Sequence, residues 1–306
     1  MSTLIPSQVV RGNHLRTSTT NTQCPPDDSS DQRTDILTPS SEYEGDPIEE
    51  KQNNHFRIGV INIHGIPKHH NHPKNINIKE TINNYNFDFI GITEANYYWP
   101  LASPDNKWHE RIRTWWNRSK TELAYYKHPI TPTLHQPGGV ISVALHQTTS
   151  ATIESGHDAV LGRWSWITLR GKKSVKTTVI TVYRPCKNTK GPNTVYNQQL
   201  RYLAAKQIDI CPRKAWLDDL AHLITTKSTM GHQIVLMGDF NENVKSNNIK
   251  RWAALLGLIE AISPSTEKEV ATQNSGSTPI DGIFISHSLS VHRSGYLPFG
   301  VFQTDH

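Results

Sequence analysis

Cysteine is scarce in this chain: Cys24, Cys186 and Cys211 are the three in 306 residues, with no CxxC spacing and no paired framework. That leaves no thiolate set for a structural zinc site and suits a reducing, intracellular compartment. No apolar run approaches the roughly 20 residues that a membrane helix needs, and residues 1–13 lack the apolar stretch of a secretion signal. The expectation is a soluble protein, nuclear or cytoplasmic. Also missing are a Gly-rich phosphate loop and a Ser or Cys placed for a nucleophilic triad. An apolar share of 35% and a mean hydropathy of -0.56 are low for a compact enzyme, so part of the chain is expected to stay unfolded.

The apolar deficit is concentrated at the start. Residues 1–52 are rich in Ser, Thr, Pro, Asp and Glu, and Tyr43 is their single aromatic residue. Such a segment cannot bury enough surface to offset chain entropy, which predicts a disordered acidic tail over 1–52 and a folded domain over 53–306. The tail holds nine acids and four bases of the chain's 27 and 32, which leaves the domain 18 acids, 28 bases and a net charge of +10. A body that basic favours a polyanionic partner, nucleic acid above all, although a merely soluble basic surface reads the same way.

Within the domain, apolar spacing alternates between strand and helix. Residues 56–61 read as a strand closed by Asn62, residues 75–86 as a helix, and residues 87–93 as a buried strand ending at Glu94. A strand, a short crossover helix and a second strand make a parallel unit, so Asn62 and Glu94 should emerge at the same sheet edge. Residues 99–116 carry interleaved Trp and Arg, which suits packing against a sheet better than base stacking. Residues 138–145, 160–169 and 176–183 read as three strands without intervening helices, with a turn at 154–156 and a hairpin at 170–172. Residues 194–206 and 212–226 read as amphipathic helices. The run Ile234 to Met237 is a doubly buried strand that ends in Gly-Asp-Phe-Asn. There Asp239 and Asn241 should project the same way by strand alternation, unless the segment turns at once into an Asx-type turn. A helix over 247–256 and a strand over 277–286, with Asp281 near its start, complete the pattern.

The polar residues at these strand ends are Asn62, Glu94, Tyr183, Asp239, Asn241, Asp281, Asp305 and His306. Carboxylates, carboxamides, a phenol and an imidazole make a sensible kit for phosphodiester hydrolysis. Carboxylate oxygens can hold Mg2+, which stabilises charge on phosphoryl oxygens while another group readies a water. The neighbouring histidines His69, His70 and His72 lie among Lys, Asn and Pro and read as a solvated loop.

The blocks NIHG, ITE, YRP, GDFN, TPID with FISHSL, and TDH, in that order over residues 55–306, resemble the endonuclease/exonuclease/phosphatase (DNase I-like) superfamily. They look most like its AP-endonuclease-type and non-LTR retroelement endonuclease members. The resemblance implies a four-layer α/β sandwich, two packed mixed β-sheets flanked by helices. It implies Mg2+, with Mn2+ as a substitute, held by Glu94 and Asp305 with support from Asn62. It also implies that Asp239, helped by Asn241, orients or activates the attacking water and contacts the phosphate, that Asp281 orients His306, that His306 binds the scissile phosphate or acts in acid/base chemistry, and that Tyr183 contacts a phosphate oxygen. Arg184 and His64 are then candidates for substrate binding, His64 standing where the family often has an acid or amide. Family members continue with another strand after the Asp-His pair, so a C-terminal strand is expected to be missing here. The activity implied is a DNA nick of retroelement type. The alternatives are a phosphoinositide or other phosphomonoester phosphatase, whose motif usually reads GDLN, and a catalytically impaired nucleic-acid-binding fragment.

Overall fold

The computed structural model of the protein describes residues 43–52, 55–187, 190–262 and 270–306. In chain order, β1 (Glu44–Gly45) and β2 (Ile58–Asn62) precede α1 (Pro73–Asn84) and β3 (Phe89–Thr93). Two single-turn 3-10 segments then lead to α2 (Trp108–Trp115), β4 (Ser119–Ala124), β5 (Val140–Leu145) and β6 (Thr152–His157). Next come β7 (Trp164–Arg170), β8 (Lys176–Tyr183), α3 (Val195–Ala205), α4 (Pro212–Thr229) and β9 (His232–Asp239). The chain closes with α5 (Asn247–Leu255), β10 (Leu258–Glu260), β11 (Asp281–Ser286) and β12 (Gly295–Tyr296).

Two mixed sheets form, ordered β2-β3-β5-β4 and β10-β11-β9-β8-β7-β6. Apolar spacing decides what covers them. On α4, Trp216, Leu220 and Ile224 recur every four residues and pack on Ile180, Val182, Ile234, Leu236 and Phe284 of the larger sheet. Burying each Leu or Ile in this way contributes about 1.5–3 kcal/mol. Ile78 and Ile82 of α1, with Trp108 and Ile112 of α2, cover the outer face of the smaller sheet in the same manner. Between the sheets lie Phe89, Ala144, Val179, Val235 and Met237. Four layers result, as the motifs implied.

The sheet interface also holds a buried polar cluster: Ser142 Oγ lies 2.9 Å from Ser165 Oγ and 2.8 Å from Thr181 Oγ1. Each hydroxyl partners another, so burial leaves little unmet hydrogen bonding. Beside it Gly91 lets the sheets approach. A Cβ there would lie 2.6 Å from Thr181 Cγ2 and 2.9 Å from Met237 Cε.

Several details depart from the sequence reading. Residues 154–156, expected as a turn, lie inside β6, and β4 and β10 carried no strand signal strong enough to single out. The three strands read as one antiparallel run are split, because β5 belongs to the smaller sheet and β7 and β8 to the larger. Helix α1 starts at Pro73 rather than at the Asn-rich segment: proline suits a first helical position, and His72 Nδ1 accepts from Lys74 N at 3.2 Å. The expected tail divides as well. Residues 1–42 lie outside the described residues, but Glu44 and Gly45 pair with Tyr296 and Gly295, and Lys51 Nζ meets Asp88 Oδ1 at 2.7 Å. Backbone pairing and an ion pair thus hold a segment too polar to be held by burial. Cys211, the residue before α4, is disulfide-bonded, whereas Cys186 is exposed. Spacing along the chain does not report proximity in space. Among the described residues no helix is long and apolar enough to cross a membrane.

The first turn of α4 also ties down the loop after β9. Arg213 donates to Pro185 O at 2.8 Å and Asn241 O at 3.1 Å, and its Nη2 meets Glu242 Oε2 at 2.8 Å. Arg184 Nη1 bonds the same carboxylate, and all three side chains are at least nine-tenths buried. Removing one member of such a buried set is costly: Glu242→Ala is expected to lower unfolding free energy by about 3–5 kcal/mol. Gly91→Ala should cost about 1–3 kcal/mol by overpacking the sheet interface. Urea denaturation followed by tryptophan fluorescence checks both, and a loss under 0.5 kcal/mol in either variant would contradict the packing just described.

Candidate active site

The site is built at one edge, where strands from both sheets end. Parallel pairing sets Asn62 opposite Thr93, so Glu94 is the next residue out on β3. In the larger sheet, parallel β8 sets Tyr183 opposite Asp239, and antiparallel β11 sets Asp281 on its other side. Three polar residues therefore stand in a row across three adjacent strands. The ladder continues past β2 and β3, with Gly65 N donating to Glu94 O at 2.8 Å and Ile66 N to Ala95 O at 2.9 Å. This zipper holds His64 (φ 44°) and Glu94 (φ 49°) in the left-handed region, as Asn241 is (φ 47°). Each such non-glycine residue costs about 1–3 kcal/mol and is held only where its surroundings impose it.

Side chains then interlock across the sheets. Asn62 Nδ2 donates to Asp239 Oδ2 at 2.9 Å, and Asn62 Oδ1 accepts from His64 N at 3.0 Å, which fixes the amide's orientation. Asp239 Oδ1 accepts from Asn241 N at 2.7 Å. That is the Asx turn, so strand alternation is not what aims Asn241; its Nδ2 instead donates to Arg184 O at 2.7 Å. Asp281 Oδ2 lies 2.8 Å from His306 Nδ1, and His306 Nε2 lies 3.3 Å from Asn62 Nδ2. Tyr183 OH donates to Glu94 Oε1 at 2.7 Å.

The electrostatics follow from this crowding. Burial first, and then the charges of Asp281 and Glu94, hold the Asp239 carboxyl well above the usual carboxylate range, against the pull of His306 and the Asn241 N–H. Burial, with Glu94 and Asp239 nearby, likewise holds the Tyr183 phenol up, so it remains a donor. Burial alone would lower His306, but the Asp281 hydrogen bond and the charges of Asp281, Asp239 and Asp305 push it up to about 9. At neutral pH the imidazole is thus charged. Its Nε2–H is then not spent on the Asn62 amide and can meet an anion.

The remaining oxygen and nitrogen atoms offer donors for a divalent cation. Glu94 Oε2 lies 3.4 Å and Asp305 Oδ1 3.8 Å from the same His64 Nδ1. Asp305 Oδ1 is buried with no hydrogen-bond partner among the described residues. Carboxylate oxygens on either side of one imidazole are hard donors of the kind that Mg2+ or Mn2+ takes. A second group is Asp239, Asp281 and His306, each offering an atom within 4.8 Å of the others.

Nine of the ten expected residues therefore gather at this edge, or brace it, as Asn241 does. Arg184 lies beneath that edge: it is 4% exposed, its guanidinium is turned to Glu242, and its carbonyl accepts from Asn241 Nδ2. The motif search passed over two braces. Thr304 Oγ1 donates to Asn62 O at 2.7 Å and accepts from His306 N at 3.1 Å, and Lys74 Nζ donates to Ile63 O at 2.5 Å. Thr304 could have been found as the first letter of TDH; nothing near Lys74 in sequence points to its role.

Known structures share this architecture. The 3′ phosphatase NExo from Neisseria, solved with a product DNA hairpin, is 14% identical, with 76% of this chain and 88% of that chain covered at a TM-score of 0.50. An endonuclease/exonuclease/phosphatase from Beutenbergia cavernae is 13% identical, with 81% and 68% covered, also at 0.50. Likeness at these identities speaks for the fold alone. No curated protein matches the sequence closely enough to count as a relative. The profile of the Endonuclease/Exonuclease/phosphatase family matches residues 59–306, and the chain belongs to that family, whose members hydrolyse phosphoester bonds.

Proposed function

We propose that the chain is a divalent-metal-dependent phosphodiesterase that nicks DNA, in the manner of a retroelement endonuclease domain. The observation that carries this reading is the locked set Asn62–Asp239 and Asp281–His306 facing the Tyr183–Glu94 pair across one edge. The net charge of +10 on the domain and the GDFN block favour a nucleic-acid polyanion over a phosphoinositide head group. NExo, bound to a DNA hairpin, shows that a protein of this fold takes a DNA ligand.

Glu94 and Asp305, with His64 beside them, would hold the cation, which when bound neutralises charge on the phosphoryl oxygens. Asp239 is fixed at both oxygens by Asn62 and Asn241, so its lone pairs are aimed without further ordering. In its ionised form Asp239 is thereby aimed to take a proton from an attacking water. Asp281 fixes Nδ1–H of His306, and the imidazolium presents Nε2–H to a phosphoryl oxygen as charge builds there. Tyr183 holds Glu94 Oε1 and leaves Oε2 turned toward the cation position.

A plasmid-nicking assay tests the reading. Nicking is expected with Mg2+ and none with EDTA; hydrolysis of a phosphoinositide with the plasmid left intact would sink the proposal. Asp239→Asn and His306→Gln should each lower the nicking rate by about 100-fold or more, with circular dichroism unchanged. Glu94→Gln should raise the Mg2+ concentration for half-maximal nicking beyond the about tenfold that loss of an outer partner costs.

A further inference from the structure

Next to Glu94 lies a cleft of 730 Å3, and most of its lining has no part in the hydrolytic scheme. Its volume falls in the ordinary range for small-ligand sites, about 300–1,000 Å3. Glu94 and Tyr183 form one end, while the loop before β5 and the start of α3 wall the rest. Gln136 lines this cleft, is 6% exposed, and its carboxamide makes no hydrogen bond among the described residues. Gln198, 2% exposed, donates from Nε2 to Asn193 O at 2.7 Å and receives no donor at Oε1. Asn96 is held by Gly138 N at its Oδ1, which leaves Nδ2 uncommitted.

Amide atoms without a protein partner, grouped around one cleft and still accessible within it, can pair with a ligand that occupies it. The lining also limits the ligand's charge. Glu94 is the sole acid among the lining residues, and Lys190 and Arg201 are the bases. Ile130 and Pro137 add apolar wall. A planar group with donors and acceptors along one edge, joined to a phosphate, matches that combination.

We propose that this cleft reads the base of the nucleotide adjoining the scissile phosphate, with Gln136 as the specificity-determining residue. The proposal rests on the phosphodiesterase reading above. The donor and acceptor of a Gln amide match the paired acceptor and donor on the edge of adenine, so adenine is the expected base. An inositol ring presents no such edge.

The test is a library of random-sequence duplexes nicked in Mg2+ by the full chain, with the cut ends sequenced. Wild type is expected to enrich adenine about tenfold or more at one position adjoining the cut, and Gln136→Leu to flatten that bias. Gln136→Glu, which changes one atom and keeps the shape, should move the preference toward cytosine, whose amino group a carboxylate accepts. Uniform base use by wild type overturns the proposal, as does an unchanged bias in both variants. Hydrolysis of bis(p-nitrophenyl) phosphate by wild type is read in parallel. Turnover of that substrate with uniform nicking would end the pocket and spare the phosphodiesterase; absence of both would end the underlying reading.

Discussion

The hydrogen bond from Asn62 Nδ2 to Asp239 Oδ2 joins the two sheets at the point where the chemistry sits. It spans 177 residues of sequence, and both partners are almost fully buried. Neither strand can slip by one residue without turning its end residue to the opposite face. The distance also depends on the layer between the sheets, where Gly91 and the Ser142–Ser165–Thr181 hydroxyls permit a close approach. Site geometry and core packing are thus one constraint.

Around that bond, each group has been given a single orientation by a neighbour that is not itself reactive. Thr304 holds both the Asn62 carbonyl and the His306 backbone. Glu242 gathers Arg184 and Arg213 beneath the loop that carries Asn241, and Trp216 Nε1 secures the Tyr183 carbonyl at 3.0 Å. Left-handed residues at His64, Glu94 and Asn241 are kept by these braces. Preorganisation of this kind lowers the reorganisation needed as charge develops in a transition state.

Much of the site was legible because its members lie at the ends of strongly patterned strands. The isoleucine-rich run before Asn62, the buried run before Glu94 and the IVLM segment before Gly-Asp each announce a strand, and a polar residue at its end stands out. Arg184 was read as a substrate contact because YRP places it next to Tyr183, and its ion-pair partner Glu242 comes from a distant segment that spacing does not reveal. The 154–156 strand was missed since Glu-Ser-Gly favours turns by local propensity; pairing with β7 overrode it. Cys211 shows the same limit, as does the polar segment that pairs through Glu44 and Gly45.

By itself the sequence determined the strongly patterned elements, where apolar periodicity selects strand or helix locally, and the order of blocks selects the family. Only the tertiary structure decided which carboxylates share a neighbourhood, because Glu94, Asp239, Asp281 and Asp305 are brought together by sheet register and packing. It also decided the raised proton affinities of Asp239 and His306. Those depend on burial and on charges a few ångströms away, and no spacing along the chain encodes either one.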